Sequence, residues 1–303
     1  MTRLHEAVDE YLSMRRALGY KLAYHAPLLH RFVEYVERTG EDHITAEVAF
    51  AWATSPTGTQ RVWWAQRLGI VRGFARHLAM IDPINEIPPE GLITHSASRR
   101  TPYLYSATDV AVLMSAARAL RAPIQAATFE TLVGLLAATG LRVGEAVGLD
   151  RGDVDLVDGT ITVREGKFGK SRWLPLHKSV VTALVRYSKK RDELCPHPRG
   201  ESFFISCTGT RLSAVNAVFR SLVRTAGLEY AGEHRPCPHD LRHSFATETL
   251  IEWHASGIDV EARLPALSTY LGHVKPSSTY WYLQATPELL SLAARRLEHG
   301  GPR

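Results

Sequence analysis

The chain has 303 residues, 45% hydrophobic and 22% charged, with a formal net charge of +5; that is enough for two domains and is the mix of an ordinary globular protein, not a disordered or fibrous one. No apolar run reaches the ~18 residues that a membrane span requires, and the amphipathic, acidic start MTRLHEAVDEYL has no signal-peptide core, so the expected location is the cytoplasm. The charge is uneven, with 10 Lys+Arg against 11 Asp+Glu up to His95 but 26 against 20 from Ser96 onward, and a basic excess in the later two-thirds suits a polyanion such as DNA.

Up to about residue 90 the periodicity is helical. VDEYLSMRRALGY, APLLHRFVEYVER, TAEVAFAWATS and TQRVWWAQRLGIVRGFARHLAMI each carry apolar residues at helical spacing, with Gly, Pro and Thr-rich breaks between them. In the fourth segment Arg61, Arg72 and Arg76 share one stripe, while Val62, Leu68, Val71, Phe74 and Leu78 supply the buried side. The stripe reads either as a solvated face or as a contact with phosphates. DPINEIPPEGLITHSASRRTPYLYS then breaks the pattern with four prolines and reads as an interdomain linker.

Helical patterns resume at SATDVAVLMSAARAL, with Ser106 or Thr108 as N-cap, and continue in TFETLVGLLAATG, where Gly140 suits the position just past a helix end. VDLVDGTITVRE places two apolar runs around Asp158-Gly159, the signal of a two-residue hairpin, and SRWLPLH adds a third strand after the loop EGKFGK. Everything after Lys178 returns to helices and loops. The fold class is therefore mainly α with two domains: an N-terminal helical bundle over residues 1–91, a linker at 92–104, and a mixed α+β domain over 105–303 with a small antiparallel three-stranded sheet. Cys195, Cys207 and Cys237 are three in number without a CxxC pair, so they form no disulfide framework. Neither Cys195-Pro-His197 nor Cys237-Pro-His239 matches a common zinc spacing, and no metal site is expected.

The polar motifs carry the chemistry. Arg142 follows Thr-Gly in ATGLRVGEAVGL at the mouth of a short helix, and Lys167 and Lys170 sit on the loop between two strands. In CPHDLRHSFATETL the residues His239, Arg242 and His243 share one helical face, which suits a phosphate better than a core. YLGH presents His273 at a turn, and Tyr280, Trp281 and Tyr282 follow. In TRLSAVNAVFRSLVRTAG the side chains of Asn216, Arg220 and Arg224 recur at helical spacing and read as a solvated face or as a face for a DNA groove. Arg99 and Arg100 could follow a backbone between domains, and Lys170 on the lysine loop and Arg172 beside it are also expected on DNA.

Taken in order, GLRxxE, a hairpin-loop lysine, HxLRH, LGH and a tyrosine resemble the tyrosine recombinase (phage integrase) family, strongly from Tyr105 to Glu298 and more loosely before. The resemblance implies that the N-terminal bundle is a core-type, SAM-like DNA-binding domain clamping DNA opposite a catalytic domain. It implies catalytic roles for Arg142, Lys167, His239, Arg242, His273 and Tyr282, with Glu145 and His243 supporting. In the family the nucleophile falls nine residues after the LGH histidine, which is Tyr282; Tyr280 falls at seven and, next to Trp281 in sequence, has a ready packing role. The stretch from His254 to His273 is longer than the family's usual link and contains Pro265.

The expected function is site-specific cleavage and rejoining of DNA through a 3′-phosphotyrosyl intermediate, with no cofactor, ATP or metal. The expected partners are double-stranded DNA with specific core sites and three further protomers, joined through TPELLSLAARRLE into a tetramer on two sites, together with accessory or partner recombinases. Such an enzyme would work on the bacterial nucleoid. The chemistry suits the residue types, since arginine forks match the charge gathering on a phosphodiester and a tyrosine near pKa ~10 needs a proton acceptor. Two alternatives share the fold: a DNA-binding architectural or regulatory protein without chemistry, and a relaxing enzyme of the type IB topoisomerase kind.

Overall fold

Helices in the first part of the chain form where apolar residues recur on one face and a cap ends the run. In the computed structural model, which describes residues 3–94, 101–164, 171–228, 235–273 and 279, the chain divides into two compact units between Arg99 and Arg100. The first contains α1 (Arg3–Ala17), α2 (His25–Arg38), α3 (Ala46–Thr54) and α4 (Arg61–Ala79). Their apolar stripes meet in one core that includes Val8, Leu12, Phe32, Val33, Trp52, Leu68, Val71 and Phe74. Thr45 starts α3 by accepting the Val48 N–H at 3.1 Å. Val62, expected on the buried side of α4, is 37% exposed: it lies in the first turn, beyond the reach of the packed stripe that begins at Leu68.

The proline-rich stretch after α4 starts as part of this unit rather than as a linker. The buried Asn85 accepts the Ile44 N–H at 3.0 Å, Glu86 N–H donates to Ile44 O at 2.7 Å, and Glu86 Oε2 accepts the Ala46 N–H at 2.7 Å. Arg72 donates to the Pro88 and Pro89 carbonyls, both at 2.7 Å. Proline removes backbone donors but not acceptors, so the side chains of α4 and of the segment itself close the accounting.

The second unit is built around α6 (Pro123–Thr139), which is apolar on nearly every side and packs against α5 (Ala107–Arg118), α8 (Lys178–Leu194) and α10 (Pro238–Ala255). Ser106 caps α5 in a reciprocal pair with Asp109. α7 (Val143–Gly148) leads through a short 3-10 turn to β1 (Val154–Asp155), β2 (Thr160–Val163) and β3 (Arg172–Pro175), an antiparallel sheet in the order β1-β2-β3. Ile161, Val163 and Leu174 face the core, while Trp173 on the other face is 80% exposed. The register pairs Asp155 with Thr160, so the hairpin loop has four residues, Leu156 to Gly159, not the two expected. The Asp155 carboxylate makes the longer turn by accepting the Val157 and Asp158 N–H groups at 2.9 and 2.8 Å, and Gly159 takes the left-handed conformation that closes it.

α9 (Val215–Thr225) follows, and after α10 comes α11 (Val260–Leu271). The long link flagged between HxLRH and LGH is this last helix. Asp259 caps it by accepting the Ala262 N–H at 3.2 Å, Pro265 is accommodated in its interior, and Leu264, Leu267 and Leu271 pack with Leu250 of α10.

Asn85→Ala leaves the buried Ile44 N–H without its acceptor, which costs about 1–3 kcal/mol; urea unfolding of the variant should show that loss, and an unchanged midpoint would contradict it.

Candidate active site

A helix leaves its last carbonyls without intrahelical partners. At the end of α11 each of the five from Ser268 to Gly272 is accounted for. Gly272, in the left-handed conformation at φ +67°, forms a Schellman motif: its N–H donates to Thr269 O and the His273 N–H to Ser268 O, both at 2.9 Å. The next three carbonyls accept from arginines on three different elements. Arg172 Nε, on β3, donates to Tyr270 O at 2.8 Å; Arg242 Nη2, on α10, to Leu271 O at 2.6 Å; and Arg142 Nη2, at the N-cap of α7, to Gly272 O at 2.8 Å. Cations at a helix C-terminus also complement its dipole.

The pattern repeats at the end of α6. Gly140 ends that helix at φ +60° with its N–H on Leu136 O at 2.9 Å, and its carbonyl accepts from Arg242 Nη1 at 2.7 Å. Both glycines are also required sterically. A Cβ on Gly140 would stand 2.6 Å from Phe245 Cδ1, and one on Gly272 would stand 2.7 Å from Arg172 Nη1.

Glu145 joins two of the arginines. Its Oε1 accepts from Arg142 Nη1 at 2.6 Å and Arg172 Nη1 at 3.1 Å, and its Oε2 from Arg172 Nη2 at 2.8 Å and the Arg142 N–H at 3.1 Å. Four donors match the capacity of a carboxylate. Burial pushes its pKa up, but the two guanidiniums outweigh this and hold it below the usual carboxylate value.

The three histidines of the site all have lowered pKa values. His273 Nε2 lies 2.9 Å from Arg242 Nη2, and an arginine can only donate, so Nε2 accepts and Nδ1 carries the proton toward Thr279 Oγ1 at 2.8 Å. Burial, then Arg242, Arg142 and Arg172, lower its pKa to about 4. His243 packs edge-on against His239 with ring centroids 4.9 Å apart, and burial together with His239 and Arg242 lowers its pKa to about 4. His239 keeps an exposed edge, yet the protein packed round its ring lowers its pKa, with Arg242 and Arg142 adding to the effect.

The structure thus brings Arg142, Glu145, Arg242 and His273 together, with His239 and His243 along α10 from Arg242. The three α10 residues do not form the open face expected of them: Arg242 is 1% exposed, and its burial is tolerable because carbonyls and His273 take its protons. Arg172, expected on DNA, is held by Glu145 and by Tyr270 O. Arg72 is held on the Pro88 and Pro89 carbonyls, while the exposed Arg76 pairs loosely with Glu90 at 3.9 Å and Arg61 is exposed. Asn216, Arg220 and Arg224 are exposed on α9. A groove of about 490 Å³ there is lined by Arg220, Ser221, Arg224 and Pro236, and also by Arg235, which sequence reasoning had not singled out. Lys167, Lys170, Arg99, Arg100, Tyr280, Tyr282 and TPELLSLAARRLE lie outside the described residues. Among the described residues no group of three or more His, Cys, Asp or Glu could hold a metal ion.

Sequence reasoning also missed the carbonyl acceptors and the Ser244 hydroxyl, which accepts the Tyr105 N–H at 2.7 Å and donates to Asp240 O at 3.0 Å. Main-chain acceptors leave no signature beyond the glycines that end the two helices.

These shifts predict acid sensitivity. His243 and His273 bind protons below about 6.5 when unfolded but only near 4 when folded, so stability falls as pH drops through that window. Glu145, lowered from 4.5, adds a loss below that value. Denaturant midpoints of the wild type should decrease from pH 6.5 to 4, less steeply for His273→Gln, and a flat wild-type profile would contradict the assignment.

Three comparisons place this chain among known proteins. Residues 105–288 match the phage integrase family. The chain is 44% identical to y4rB of Sinorhizobium fredii, an integrase/recombinase by its name only, over 98% of both chains. It is 33% identical to the tyrosine recombinase XerC of Pelotomaculum thermopropionicum, over 79% of this chain and 76% of that one. Its fold is similar to a Tn1549 transposon integrase in complex with transposon right-end DNA, with TM-score 0.68 and 18% identity over 99% of both chains. It is also similar to XerH bound to a difH substrate, with TM-score 0.64 and 21% identity over 90% of this chain and 79% of that one. With the family match spanning more than half of the chain and full-length likeness to y4rB, the chain belongs to the phage integrase family of tyrosine recombinases.

Proposed function

We propose that this chain is a site-specific DNA recombinase that cleaves and rejoins strands through a 3′-phosphotyrosyl bond. The observation that carries the reading is the meeting of Arg142, Arg242 and His273 at the end of α11, nine residues before Tyr282.

Tyr282 Oη attacks the scissile phosphorus and its proton passes to His239, whose lowered pKa leaves it neutral and able to accept at neutral pH. The bond to the 5′ oxygen breaks, and that oxygen takes a proton from Lys167. The reverse attack by a 5′ hydroxyl of another strand restores a phosphodiester, so the bond energy is kept and rejoining needs no ATP. Arg142 and Arg242 face the non-bridging oxygens. A guanidinium carries five N–H donors, and the Arg142 side chain uses two in its bonds to Glu145 and Gly272. Phosphate oxygens attract the remainder more strongly than neutral carbonyls do. His273 accepts from Arg242 in the DNA-free protein, so to donate to phosphate it must gain a proton on Nε2; the anion's own charge favours that change. Double-stranded DNA with specific core sites is the partner, and the tetramer on two sites, built through TPELLSLAARRLE, belongs to the same reading.

Nicked suicide substrates made from DNA flanking the gene should give a covalent adduct on denaturing gels. The adduct should disappear in Tyr282→Phe, persist in Tyr280→Phe, and form about 10²–10⁴-fold more slowly in His239→Ala. Specific binding with no adduct in the wild type would identify a DNA-binding protein without chemistry. Efficient relaxation of a plasmid that lacks the site would identify a topoisomerase instead.

DNA should lie along α9. Arg220→Ala and Arg224→Ala should each weaken binding similarly on all sequences and lower the slope of log affinity against log salt by about 1. An unchanged slope measured by fluorescence anisotropy would remove that face from the interface.

A further inference from the structure

The Arg172 side chain is 12% exposed, and all three of its guanidinium nitrogens are used. Nη1 and Nη2 form a fork on Glu145 at 3.1 and 2.8 Å, and Nε donates to Tyr270 O at 2.8 Å. The plane lies so close to Gly272 that a Cβ there would stand 2.7 Å from Nη1 and 2.9 Å from Cζ. Gly272 O in turn accepts Arg142 Nη2, and Glu145 accepts Arg142 Nη1. Arg142 is thus held by two groups, a carboxylate and a carbonyl, and Arg172 braces both. It stands at the first position of β3, opposite Val163 of β2, directly after the loop that carries Lys167. Its charge is already set against the Glu145 carboxylate, a stronger acceptor than the carbonyls that hold Arg242, although its place beside that loop suggests a phosphate contact.

We propose that Arg172 is a positioning residue for strand cleavage: by tying Glu145 to the last turn of α11, it sets the Arg142 fork and the His273-bearing turn at the separation that one phosphate requires. The inference rests on the function proposed above. Arginine is needed there because its planar fork bonds a carboxylate with two nitrogens while the third reaches the carbonyl, which a single ammonium cannot do.

Two measurements test it on the full chain. The first needs no DNA: the His273 ring is titrated by NMR in wild type, Arg172→Gln and Arg172→Lys. The charged and titratable groups facing that ring are Arg242 and His239 from α10, Arg142 from the start of α7 and Arg172 from β3, and Thr279 Oγ1 is bonded to its Nδ1. Loss of Arg172 should move the titration upward; an unmoved titration overturns the proposal. The second is single-turnover cleavage alongside DNA affinity and its salt dependence. Arg172→Gln should cleave at least tenfold more slowly with affinity within twofold of wild type and the salt slope unchanged. Arg172→Lys should recover less than half of the rate, and adding Glu145→Gln to Arg172→Gln should cost little more than the slower single change. A loss of affinity that matches the loss of rate, with a reduced salt slope, would make Arg172 a DNA contact and overturn the proposal, as would full rescue by lysine or an unchanged rate. If Arg172→Gln does not fold, Arg172→Lys carries both tests. No adduct in the wild type would sink the proposed function, while the His273 titration would still decide what Arg172 holds.

Discussion

The catalytic unit depends on the carbonyl end of α11. Five carbonyls point out of the helix there; two are closed by the Schellman motif and three by Arg172, Arg242 and Arg142. Each interaction serves both partners. The helix end loses its unsatisfied acceptors, and the arginines gain the fixed partners without which burying a guanidinium would be prohibitive. A three-residue stretch of backbone thereby positions side chains from β3, α10 and the start of α7, which lie far apart in sequence.

Two left-handed glycines make this possible. Gly140 and Gly272 end α6 and α11 and turn their carbonyls toward Arg242 and Arg142 respectively. At both positions a Cβ would strike a neighbour, Phe245 in one case and Arg172 in the other. The small side chain therefore meets two demands, a positive φ and close packing. Glu145 adds the compensating charge: four donors surround its two oxygens, so the cluster holds two guanidiniums beside one carboxylate and carries a net positive charge toward an incoming phosphate. Burial, with the same positive field adding to it, lowers the pKa of His273 to about 4 in the DNA-free protein, so in the proposed reaction the arriving anion would favour protonation of that ring.

Much of this was legible in advance. Hydrophobic periodicity located the four N-terminal helices and the helices around α6, and alternation with turn residues located the three strands. The motif order brought Arg142, Glu145, His239, Arg242 and His273 into view. What periodicity does not contain is partnership. Arg72 and Arg172 looked like DNA contacts because an arginine on a polar stripe or beside a basic loop has the same local signature whether it meets a phosphate or a carbonyl; the structure adds that the first rests on Pro88 and Pro89 and the second on Tyr270 and Glu145. The four-residue hairpin loop was missed because the Asp155 carboxylate, not the Asp158-Gly159 pair alone, builds the turn. The proline-rich segment read as linker from Asp82 belongs at first to the helical unit, held by Asn85 and Glu86 across some forty residues of sequence.

By itself, the sequence determined the helical character, the two-part organisation, the small sheet and the set of residue types that the proposed reaction uses. Those are consequences of period, capping and charge, all of them local. Only the tertiary structure decided which carbonyls and carboxylates hold the arginines, which imidazole nitrogen of His273 faces Arg242, and that three arginines share the end of one helix. Those outcomes depend on where main-chain carbonyls come to lie once helices pack, and every residue type carries the same carbonyl.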